Sequence, residues 1–131
     1  MVDAVALIVR ELLADTNVSA ALGTSVYGAS IPPDAAPPFA VVRSVSHSPT
    51  APPSISWWDT TVTVDVHSKD PIESTKVAAD VASALAVIED VYPEGVVASV
   101  RLRDILTIED GAFTPTRSRN IVTVSVTARD N

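Results

Sequence analysis

The run Trp58-Asp59-Thr60-Thr61-Val62-Thr63-Val64-Asp65-Val66-His67 decides how the chain is read. Trp58, Thr60, Val62, Val64 and Val66 alternate with Asp59, Thr61, Thr63, Asp65 and His67. A period of two belongs to a strand with one face on a core and the other toward water. The inner phase is mostly β-branched, which suits a pleated, half-buried surface. Upstream, Phe39 to Ser46 reads as a second strand. The loop between them, 47–56, is long for a hairpin and stiffened by Pro49, Pro52 and Pro53. Downstream, Asp70-Pro71-Ile72-Glu73 is a helix start: Asp70 caps, Pro71 fits the first helical position, and Glu73 sits where a capping-box acid belongs. That helix runs to about Glu89 and buries Val77, Val81, Leu85 and Ile88.

Further out, Val5, Ile8, Val9, Leu12 and Leu13 lie on one face of a helix from Asp3 to Ala14. A short turn capped by Asn17 and stopped by Gly23 follows. Prolines make 24–38 irregular, with a short extended piece at Ser25–Tyr27 on a sheet edge. After the turn Pro93-Glu94-Gly95, a strand places Val100, Leu102, Leu106 and Ile108 opposite Arg101, Arg103, Thr107 and Glu109. Asp104 falls in the apolar phase, which predicts a bulge or an exposed edge there. In the last strand Val122, Val124, Val126 and Ala128 face inward. The order α-β-β-α-β-β predicts an α+β fold: one mainly antiparallel four-stranded sheet with two helices packed on one face. The other sheet face, rich in Thr, Ser, Asp and Arg, is wet or meets a partner. Residues 1–131 are one domain's worth of chain.

Composition narrows the function. Apolar residues make up 47% of the chain and aromatic ones 5%, which predicts a folded core of small and β-branched side chains. With no cysteine, a disulfide framework and a thiolate metal site are both excluded. Met1-Val2-Asp3 has an acid where a signal peptide needs a cationic start, and no apolar run is long enough to span a membrane. A net charge of −7 argues against a surface built to hold nucleic acid, but not against a wall past which DNA slides.

Catalytic constellations are sparse. His67 lies beside Asp65 in outward phase, and reads as an exposed polar pair near a helix N-terminus rather than half of a metal site or triad. His47 has serine neighbours and no third member. The four glycines form no phosphate cradle, and the acid pairs Glu89-Asp90 and Glu109-Asp110 sit at element ends. We expect no catalytic residue, no cofactor and no metal. The residues that ask for an explanation suit contacts instead. Trp57 and Trp58 point to opposite faces, so one is core while the other meets either the proline loop or a partner. Arg101, Arg103, Arg117 and Arg119 gather cations on the last hairpin of an acidic chain. Two such surfaces suit head-to-tail contacts in a ring, or are simply solvated.

Several segments together resemble phage tail-terminator and tail-completion proteins. In that family a leading helix ends much as Ala21-Leu22-Gly23 does, and a segment like Val26-Tyr27-Gly28 with Ile31-Pro32-Pro33 and Pro37-Pro38-Phe39-Ala40-Val41-Val42 follows. The similarity continues through Val62–Ser68, the Asp70–Ile88 helix and Ile121–Ala128. The resemblance implies a non-enzymatic virion protein of a long-tailed, siphovirus-like phage, assembled in the host cytoplasm. It implies a hexameric ring at the head-proximal end of the tail tube that ends polymerisation of the major tail tube protein. Its other partner would be a head-completion or connector protein, and DNA would pass through the lumen without sequence-specific binding. Pro52, Pro53, both tryptophans and the four hairpin arginines are the expected interface residues. A head-closure protein of the phage neck is the nearest alternative. A small ligand-binding or enzymatic α+β domain, with Asp65 and His67 as its site, is an alternative of another class.

Overall fold

The alternating run forms β3, Trp57–Ser68, third in a sheet of six strands. The computed structural model describes residues 2–50, 57–110 and 117–130. In chain order the elements are α1 (Ala4–Ala14), α2 (Thr16–Leu22), β1 (Val26–Gly28), β2 (Phe39–Pro49), β3, α3 (Pro71–Ala86), β4 (Asp90–Tyr92), β5 (Gly95–Asp110) and β6 (Arg117–Arg129). The strands lie in the order β1-β2-β3-β6-β5-β4. β1 pairs parallel to β2 and every other pair is antiparallel.

The expected four-stranded, mainly antiparallel sheet with two helices is therefore corrected to a six-stranded mixed sheet with three helices. β1 and β4 are three residues each, too short to carry a period. β4 arises between the expected helix end and the segment read as a turn, where Asp90–Tyr92 folds back on Gly95–Val97. The supposed turn after α1 is a helix because Asp15, not Asn17, caps it: the Asp15 carboxylate accepts from the Asn17 and Val18 N–H groups.

Val62, Val64 and Val66 of β3 join Val122, Val124 and Val126 of β6 in a core shared with all three helices. Leu7, Ile8 and Leu12 of α1 and Val77, Val81 and Leu85 of α3 fill it. The buried face of α1 is turned from the expected one: Val5 and Val9 are only partly covered, and Leu13 is exposed. A polar chain pins α3 to the sheet. Thr107 Oγ1 donates to Asn120 Oδ1 at 2.8 Å, and Asn120 Nδ2 donates to Ser74 Oγ at 2.6 Å. The start of α3 is set as expected by Asp70, whose carboxylate accepts from the Ile72 N–H at 2.9 Å. Glu73 instead accepts from Ser68 Oγ, which itself accepts from the Asp70 N–H. Asp70→Ala is expected to cost about 1 kcal/mol of stability, read from chemical denaturation.

Candidate assembly surface

β5 is where the sequence and the fold diverge most. Val100 and Leu102 face the helices, paired with Val126 and Val124. The register then slips between Leu102 and Asp104, and this is the bulge expected around Asp104. The slip reverses the phase beyond it. Ile105 now lies opposite Val122 on the helix side, while Leu106 lies opposite Ile121 on the far side. The single apolar face Val100-Leu102-Leu106-Ile108 is thus corrected to two half-faces. Leu102, Ile105 and Leu106 stay 51%, 41% and 55% exposed. β4 covers only Gly95–Val97, so among the described residues the outer edge of β5 from Ala98 onward has no pairing strand.

The opposite end of the sheet is also open. β1 covers only Ala40–Val42 of β2, and among the described residues Arg43–Pro49 has no outer partner strand. Val45 is exposed there. Beside this edge a shallow groove runs between α1 and the sheet, lined by Val5, Val9, Leu13, Gly28 and Ala29. It continues past Asp3 into a notch formed by Val2, Ala4, Ser44 and His47.

The sheet face away from the helices is not uniformly wet. At the β2–β3–β6 end, Phe39 and Val41 are fully buried, and Asp65 and His67 are buried with them. The reading of Asp65 and His67 as an exposed pair is corrected accordingly. Phe39 stacks on the His67 ring, centroids 4.6 Å apart. Arg119 holds Asp65 through two hydrogen bonds, Nη2 to Oδ2 at 2.6 Å and Nε to Oδ1 at 3.3 Å, and His67 Nε2 lies 3.3 Å from Oδ2. Burial pushes the Asp65 carboxyl upward, but His67 and Arg119 outweigh it and hold the group below its ordinary value. This cluster reads as a structural ion pair: it adjoins no groove described above, and among the described residues neither ring nitrogen of His67 hydrogen-bonds a hydroxyl group.

The expected interface residues are scattered. Arg101 and Arg103 are exposed, whereas Arg119 is held by Asp65. Arg117 opens β6 opposite Asp110, and its side chain lies outside the described part, as do Pro52, Pro53 and the loop 111–116. Trp57 and Trp58 are both half-buried, and the Arg129 guanidinium lies 5.4 Å from the Trp57 ring centre. Among the described residues no three acidic or histidine side chains are placed to hold a metal ion, and no helix is long and apolar enough to cross a membrane.

The sequence profile of the tail completion protein gp17 family matches residues 6–126, nearly the whole chain. The chain belongs to that family of phage tail-completion proteins. In three dimensions the tail-completion chain is similar to a chain in the virion of a native gene transfer agent particle, with a TM-score of 0.72 at 18% identity. The match covers 96% of this chain and 98% of the other, so the same fold extends through both. No curated protein matches the sequence. The tail-completion protein is thus a structural protein of the virion tail. The residues that sequence reasoning missed are Leu102, Ile105 and Leu106 as surface groups. Their signal was present: apolar residues occur in both phases around Asp104, which a strand with one buried side does not need.

Proposed function

We propose that the tail-completion protein assembles as one domain into a hexameric ring that caps the head-proximal end of the tail tube. The ring ends polymerisation of the tube protein and offers its other side to a head-completion protein. It has no catalytic role, and DNA crosses its lumen without being read. The observation that carries this reading is the open end of β5. A long apolar edge with Leu102, Ile105 and Leu106 turned to solvent is a liability in a monomer and a resource in an assembly. The resemblance to tail terminators supplies the place of that assembly. The acidic balance of the chain suits a DNA passage, since a basic lumen would grip phosphate. Particles made without this protein are expected to show over-long or headless tails in electron micrographs. Normal tails beside heads that leak DNA would instead move the ring to the neck and overturn the terminator role.

A further inference from the structure

We infer that the ring closes by strand addition: the free edge of β5 in one copy pairs antiparallel with the free edge of β2 in the next. The inference rests on the ring reading and names the contact that builds it. The two edges lie at opposite sides of one sheet, β2 open from Arg43 to Pro49 and β5 open from Ala98 onward among the described residues. Within the chain, β2 is antiparallel to β3, β3 to β6 and β6 to β5, so β5 runs opposite to β2. A rotation about an axis along the strands preserves those directions. The β5 edge of a neighbour therefore meets β2 antiparallel, the better-bonded arrangement, with the helices of both copies on the same side. Unlike edges meeting in this way make a head-to-tail contact, which closes into a ring when the rotation closes.

Side chains fit the same placement. Leu102 and Ile105 lie on the helix side of β5 and remain 51% and 41% exposed. Set beside the β2 edge of a second copy, that side of the strand faces the notch at Val2, Ala4, Ser44 and His47 and the α1 groove at Val5 and Val9. Among the described residues no strand follows Gly28 of β1 along the groove, and β5 brings the apolar side chains that its own chain leaves exposed. Backbone pairing would supply affinity and the alternate apolar side chains would supply specificity, as in other strand-addition contacts.

The absence of cysteine makes the test clean. Ser46→Cys and Arg103→Cys variants are prepared singly, mixed, and treated with a short bis-maleimide, alone and with assembled tail tubes. The mixture is expected to give Ser46–Arg103 linked dimers well above either homodimer, and the double variant a ladder that ends in a closed ring. Leu102→Glu with Leu106→Glu is expected to weaken self-association at least tenfold while the monomer melts within a few degrees of the parent. Homodimers in excess, or an oligomer in native mass measurements that carries no β2–β5 link and survives the double glutamate change, would overturn the contact and leave the ring standing. No oligomer at any concentration, with or without tubes, removes ring and contact together.

Discussion

Gly95→Ala is expected to lower the midpoint of thermal unfolding by roughly 10 °C, corresponding to about 3 kcal/mol in a chain of this size. Two costs combine. Gly95 has φ +155°, a region that residues with a side chain avoid, which alone costs about 1–3 kcal/mol. A methyl group there would also run into the Arg129 carbonyl and approach Val2 Cγ2 to 2.6 Å. Neither neighbour can yield cheaply. The Arg129 carbonyl belongs to β6, paired with β5 at Val96, and Val2 is buried. Gly23 supplies the comparison. It caps α2 at φ +60°, yet a methyl group there would meet nothing within 4 Å. Gly23→Ala should therefore show only the backbone cost, about 1–2 kcal/mol. Equal losses at the two sites, measured by calorimetry, would mean that the close approach at Gly95 carries no energy of its own.

Gly95 also marks where sequence reasoning stopped. Pro93-Glu94-Gly95 was legible as a turn, but not that the turn closes a three-residue strand onto β5. Elements long enough to repeat their period were legible: α1, β3, α3 and β6 fall where the apolar spacing places them. Asp3 and Asp70 cap the helices they precede. What escaped has a common physical origin, namely pairing between segments distant in sequence. β1 was expected as a short extended piece on a sheet edge, but not its parallel pairing with Ala40–Val42. β5 keeps a strand's alternation on each side of its bulge, but the bulge reverses which side meets the helices.

The same limit applies to the surfaces. Arg101 and Arg119 look equivalent in sequence, both polar positions on one hairpin. In the fold Arg101 lies opposite Ser125 and stays exposed, whereas Arg119 lies near Asp65 and is bound. Partner identity is a property of register, and register across 54 positions is not written in either strand alone. The apolar edge was half legible, since the misfit at Asp104 was visible and its consequence for Leu102 and Leu106 was not. An alternation that fails locally is a reason to look for a surface that another chain completes.

Asp65→Ala is expected to destabilise the protein by about 2–3 kcal/mol, even though the substitution removes a charge from an acidic chain. Asp65 is buried, and it accepts both hydrogen bonds of the Arg119 fork and faces His67 Nε2. Its loss strips the buried His67 of the carboxylate beside it and leaves Arg119 without this partner. The Arg119 side chain keeps 26% of its exposure, so water recovers part of its share and the loss stays below that of a fully buried pair. The pH dependence separates charge from shape. The folded protein holds this carboxyl below its ordinary value, so its contribution is complete above the ordinary carboxylate range and fades as pH falls through the folded value. Asp65→Asn keeps the shape and one acceptor while removing the titration. It should cost less than Asp65→Ala at neutral pH and flatten the fall in stability below about pH 4. Asp104→Asn, at an exposed position, should leave that acid limb as it is. Denaturation midpoints across pH 3 to 7 decide the matter, and an acid limb in Asp65→Asn as steep as the parent's would mean that the stability of this sheet face does not depend on the Asp65 charge.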